Sequence, residues 1–158
     1  MSDRFQRRQN YSGPRNYVKH GFDSNGLDAA GHDVEYYKNV IQEMTALSEK
    51  AKIQMDNHEY KEALLNVRLT IENGVRCILC HWGVELDKRK KIVADIDSCG
   101  NYNLLSSDMV SKLQSARKHC NDLMHASGVE KQINQVFFCY KVSCELIEAI
   151  KESVLQNV

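Results

Sequence analysis

From Asp33 onward, apolar residues recur every three or four positions, a spacing that puts them on one side of successive α-helices. Tyr37, Val40, Ile41, Met44, Leu47, Ala51 and Met55 share one face of a first helix, with Asp33 placed to cap its N-terminus. Asp56-Asn57-His58 breaks that period. A second helix runs from about Glu59 to Trp82 on Ala63, Leu64, Val67, Ile71, Val75, Ile78 and Leu79, and Gly83 is its stop signal. So short a gap folds the two back on each other as an antiparallel hairpin. Asp87 opens a shorter helix carrying Ile92, Val93 and Ile96, and Ser98 to Ser106, with Gly100-Asn101 inside it, reads as a loop. Ser107 caps a fourth helix with Met109, Val110, Leu113, Ala116, Cys120 and Leu123 apolar and Gly128 near its end. A last helix spans about Lys131 to Leu155 on Ile133, Val136, Tyr140, Cys144, Ile147, Ile150 and Val154. No segment alternates with period two between turn residues, so no strand is expected. The expected fold is all-α: an up-down helical bundle of four long helices plus one short helix, over residues 33–158.

Residues 1–32 follow no such period. They hold the chain's single proline, Pro14, and four of its eight glycines, and they read as a disordered tail. Arg4, Arg7, Arg8, Arg15 and Lys19 stand against Asp3 alone within the first twenty positions, with Phe5, Tyr11 and Tyr17 between them. Basic and aromatic residues together suit single-stranded nucleic acid. The plainer alternative is a solvated tail with no fixed partner.

Composition narrows the picture further. At 158 residues the chain fits one domain. Its 21 Lys and Arg balance 21 Asp and Glu, so no global field draws in polyanions. No apolar run approaches the ~20 residues that span a bilayer, and the polar start lacks the apolar segment of a signal peptide. The expectation is a cytoplasmic protein without a membrane partner, its six cysteines reduced. Cys77, Cys80, Cys139 and Cys144 fall inside apolar helical segments, where a free thiol packs as a small hydrophobe. Cys77-Ile78-Leu79-Cys80-His81 has the spacing of covalent haem attachment, but its apolar helical setting favours core packing. A zinc site would need ligands from a second pair, and none stands at ligand spacing. No metal and no cofactor are expected. Lys88-Arg89-Lys90-Lys91 places four cations at a helix start, where the macrodipole disfavours them. Phosphate contact would explain the run, and a solvated face beside Asp87 is the simpler account. Arg68 and Glu72 form an i, i+4 ion pair. A Gly-rich phosphate loop, a nucleophile elbow and an HExxH motif are all missing.

Arg117, Asn121 and His125 recur at i, i+4 and i+8, which stacks an arginine, an amide and an imidazole along one side of the fourth helix. Imidazole suits proton transfer near neutrality, and guanidinium suits a phosphate. A polar seam against neighbouring helices is the structural alternative. Eight residues of helix separate the Arg117 and His125 Cα atoms by about 12 Å, and helical side chains lean toward the N-terminus. Within one protomer the two heads do not converge. Two copies of this helix, antiparallel about a two-fold axis near Asn121, would bring Arg117 of one chain to His125 of the other.

The block Arg117-x3-Asn121-x3-His125, with Glu62-Ala63, Arg68 and Glu72 upstream, resembles the HEPN superfamily over roughly residues 34–157. It is most similar to the HEPN-like branch of uncharacterised prokaryotic domains, some of them fused to restriction-endonuclease subunits. The resemblance implies a helical bundle that pairs as a homodimer. It also implies kinship with metal-independent endoribonucleases, whose motif is an arginine, an adjacent polar residue and a histidine four residues after that. Asn121 matches the polar position and His125 the histidine. The arginine position falls on Cys120, with Arg117 one turn earlier. Two functions are expected on these grounds. The first is a dimeric, non-catalytic interaction module or nucleic-acid-associated accessory domain, with RNA or another protein as partner. The second is a metal-independent endoribonuclease with a composite dimer-interface site of Arg117, Asn121 and His125. Under either, Arg4, Arg7, Arg8, Arg15, Lys88, Arg89, Lys90 and Lys91 are the candidate nucleic-acid contacts.

Overall fold

A computed structural model describes residues 21–89 and 91–155. Among them are five α-helices and no strand: α1 Val34–Asp56, α2 Tyr60–His81, α3 Ile92–Asn101, α4 Ser107–His125 and α5 Ile133–Ile150. A short 3-10 turn, Val129–Gln132, leads into α5, and a π-type turn, Lys151–Leu155, extends it. The bundle is all-α, with four long helices and one short helix. No helix among the described residues is long and apolar enough to cross a membrane.

The apolar stripes fix the packing. α2 is the hub, in contact with α1, α3, α4 and α5, while α5 also backs α1 and α4. Tyr37, Met44, Leu64, Leu79, Leu113 and Leu146 are among the fully buried side chains that fill the centre. The Asp33 side chain accepts the Tyr36 N–H at 2.9 Å and so caps α1. Gly83 ends α2 in the left-handed region at φ 73°, with its N–H bonded to the Cys80 carbonyl and that of Val84 to Leu79. A side chain at 83 would also press on Ala29, since a Cβ there would lie 2.9 Å from the Ala29 Cβ.

Three boundaries differ from the sequence expectation. α3 starts at Ile92, not Asp87, because Asp87 is bound into the connector: its carboxylate accepts Lys91 N–H and its own N–H donates to buried Asp95. α3 then continues to Asn101, through positions expected to be loop. α4 is capped by Ser106 rather than Ser107, the Ser106 hydroxyl accepting Met109 N–H at 3.1 Å.

The largest correction concerns residues 21–32, expected to belong to a disordered tail. They fold as two successive turns of the same design, Asp23-Ser24-Asn25-Gly26 and Asp28-Ala29-Ala30-Gly31. In each, the aspartate Oδ1 accepts the N–H groups two and four residues on. The second aspartate is buried, and Phe22 packs edge-on against Tyr37 and His81. The segment is therefore part of the folded domain. Arg4, Arg7, Arg8, Arg15 and Lys90 lie outside the described residues.

Candidate functional site

The stripe on α4 resolves into three different environments. Arg117 is half-buried, and its Nε donates to Gln114 Oε1 at 3.1 Å. Gln114 is itself held from α3, donating to the Val93 carbonyl at 3.0 Å and to Asp97 at 2.9 Å. The short helix therefore orients Arg117 through Gln114. Asn121 is exposed one turn further on, and His125 is exposed in the last turn of α4. Among the described residues the His125 side chain makes no protein hydrogen bond.

Arg117 and Asn121 share a crevice with Arg68 and Glu72 of α2. The crevice has a volume of about 110 Å³ and a floor of Ile71, Ile92 and Cys120. Arg68 Nε sits 3.1 Å from Glu72 Oε2, so the i, i+4 pair read from the sequence forms. What the spacing could not reveal is that this pair faces Arg117 across the α2–α4 seam. His125 does not line the crevice.

Cys120, one residue from Asn121, lies at the buried bottom of that crevice. It is 1% exposed, and its thiol lies against Cys139 of α5. The hydrogen bond with Cys139 and burial raise Cys120 well above the ordinary thiol range, so it is no nucleophile. Cys139 donates onward to the Ala116 carbonyl. Its neighbour Ala116 is fully buried as well, so this side of α4 is core.

Lys88, Arg89 and Lys91 are exposed on the connector before α3. Lys91 directly precedes Ile92, so the cationic run ends at the edge of the crevice.

Cys77, Cys80 and His81 do not act together. Cys77 and Cys80 open on a groove of about 710 Å³ between α1 and α2, shared with Tyr36, Tyr37 and Arg76. Burial pushes Cys77 up to about 12 and raises Cys80 too. His81 turns into the core, with Nδ1 2.7 Å from Asp28 Oδ2. Among the described residues no group of three or more His, Cys, Asp or Glu is placed to hold a metal ion. All six cysteines are free thiols.

The Asp28–His81 pair and the Tyr37 hydroxyl beside it form a buried polar cluster that the helical periodicity does not reveal. The one available signal was the doubled Asp-x-x-Gly pattern, which marks two ordered Asx turns before α1. The chain matches no protein-family profile, no curated protein and no solved structure.

Proposed function

We propose that this chain is a HEPN-like helical module that pairs as a homodimer and serves as a non-catalytic interaction or nucleic-acid-associated accessory domain. The reading rests above all on Cys120. It stands where the HEPN-like ribonuclease motif carries arginine, and its side chain is 1% exposed against α5. An arginine there would start from the buried floor of the crevice, packed against Cys139 and beneath Arg68 and Arg117, and not from the exposed side of α4 that carries His125. Arg117 does not replace it within one protomer, because it opens on a crevice that His125 does not line. Support for pairing comes from Leu65 and Leu69, 47% and 40% exposed and one turn apart on the outer face of α2. A two-fold contact on that face would remove both from water.

Light scattering and an RNA-cleavage assay in EDTA test the reading together. It expects a dimer that leaves structured and single-stranded RNAs intact, and Leu65→Lys combined with Leu69→Lys should yield a folded monomer. A wild-type monomer, or cleavage that His125→Ala abolishes, overturns it.

One observation favours a second reading, the metal-independent endoribonuclease. The His125 side chain is exposed and free of protein partners among the described residues, so a second copy could reach it. His125 would move the proton and Arg117 of the partner would steady the phosphate. In that case both His125→Ala and Arg117→Ala abolish cleavage.

A further inference from the structure

Arg68 and Arg117 come from different helices, α2 and α4, and open on one crevice of about 110 Å³. Both touch the protein through the inner nitrogen of the fork: Arg68 Nε on Glu72 and Arg117 Nε on Gln114, each at 3.1 Å. Terminal Nη donors remain for a ligand. Among the described residues Glu72 is the one acidic residue of the lining, so two guanidiniums face a single carboxylate and the crevice keeps an excess of positive charge. Asn121 adds an exposed carboxamide at the rim, able to donate as well. Ile71, Ile92 and Cys120 make the floor apolar, which strengthens a charge-assisted hydrogen bond formed above it.

Size and charge select the ligand class. The crevice is well below the roughly 300–1,000 Å³ of pockets that enclose drug-sized molecules. A single tetrahedral oxyanion suits it, whereas a base or ribose would remain outside. Guanidinium forks match phosphate oxygens in geometry and charge. The surroundings point to a chain of phosphates, because cations continue past the rim: Lys91 adjoins Ile92, Lys88 and Arg89 precede it, and Lys118 is exposed on α4.

We propose that Arg68 and Arg117 jointly seat one phosphate of a single-stranded nucleic acid, with Asn121 at the rim and Lys88, Arg89 and Lys91 following the neighbouring phosphates. This rests on the nucleic-acid-associated form of the function proposed above and assigns it a site. The site lies within one protomer, and neither His125 nor cleavage takes part.

The full chain should be titrated against a fluorescein-labelled single-stranded RNA over a range of salt, read by anisotropy. Arg68→Gln and Arg117→Gln should each weaken binding about tenfold and flatten the log–log salt slope by about 0.7, the value for one lost phosphate contact on a single strand. Since both grip the same phosphate, the double variant should lose clearly less than the two single losses added together. Lys38→Gln, an exposed cation paired with Glu35 on α1, should leave affinity and slope unchanged. Circular dichroism of each variant verifies the fold. In parallel, inorganic phosphate should shift the Arg68 and Arg117 Nε–H signals in a ¹⁵N NMR titration. Wild-type RNA binding that both Arg variants leave intact, or losses that simply add, overturns the crevice while leaving a nucleic-acid role standing. Phosphate binding without RNA binding overturns the nucleic-acid source.

Discussion

Asp28 and His81, 53 positions apart, are joined by a 2.7 Å hydrogen bond from His81 Nδ1 to Asp28 Oδ2 in the core. The other carboxylate oxygen accepts Ala30 and His32 N–H, and the Tyr37 hydroxyl lies alongside. One side chain therefore fastens the segment before α1 to the end of α2. Asp28→Ala would strand the buried His81 imidazole and leave the Tyr37 phenol only a 3.5 Å contact to His32 Nδ1. An unsatisfied buried polar group costs about 1–3 kcal/mol, so the variant should lose about 2–3 kcal/mol by urea unfolding. Protease cleavage within residues 21–32 should also accelerate. An unchanged urea midpoint would show that the clasp carries no stability.

The same pair sets an acid dependence. Burial lowers His81 below its ordinary 6.5 by more than Asp28 raises it back. For Asp28, burial pushes upward, but hydrogen bonds from Tyr37, the His32 backbone and His81 outweigh it and hold the carboxyl below its ordinary 3.8. Both groups bind protons more tightly in the unfolded chain, so acid favours unfolding. The pair's contribution is complete above 6.5, falls as His81 is forced to protonate below that value, and falls again below 3.8 as Asp28 does. Urea midpoints measured from about pH 7.5 down to about pH 5 should decline, and His81→Gln should flatten the profile across that window. Parallel profiles for the two proteins would contradict this assignment.

What could be read from the sequence was whatever repeats with the helix. The Tyr37-to-Met55 and Ala63-to-Leu79 stripes are core in the structure, and Asp33 is the cap. The divergence of Arg117 and His125 also follows from helical rise and side-chain lean alone. Residues 21–32 escaped because Asx turns have no apolar period, and buried Asp28 makes sense only once His81 is known to face inward. The crevice escaped for a related reason. Arg68–Glu72 and Arg117 each look complete on their own helix, and only the α2–α4 packing brings them together. Cys120 was legible as apolar but not as the neighbour of Cys139, a contact between helices.

Gly74 lies midway along α2, where Ala would normally gain about 1 kcal/mol. Here a Cβ would stand 2.8 Å from Leu146 Cδ2 and 2.9 Å from Ile150 Cδ1 on α5. Overpacking of that kind costs about 1–3 kcal/mol, so Gly74→Ala should be destabilising by about 1 kcal/mol net. Ile150→Val removes one of the two crowding carbons. Gly74→Ala should therefore cost less in an Ile150→Val background, as a double-mutant cycle would measure. Stabilisation by Gly74→Ala would mean that α2 and α5 are not in this close contact.

Cys120→Arg restores the side chain that the HEPN-like ribonuclease motif carries at that position. If only the residue were missing, this variant would become an RNase. The packing argues otherwise. Cys120 is 1% exposed, Ala116 one turn before it is fully buried, and Cys139 stands opposite. A guanidinium rooted there is cut off from water and crowded by Arg68 and Arg117, with Glu72 already held by Arg68, and a poorly compensated buried charge costs about 3–5 kcal/mol. Cys120→Arg should therefore lose cooperative unfolding, or at least most of its stability, and should cleave no RNA in EDTA. Cys120→Ala, which leaves only a small void, should stay folded with a loss of about 1 kcal/mol. A Cys120→Arg protein that keeps its melting temperature and cuts RNA would place residue 120 on the outside of α4, and the non-catalytic reading would fall with it.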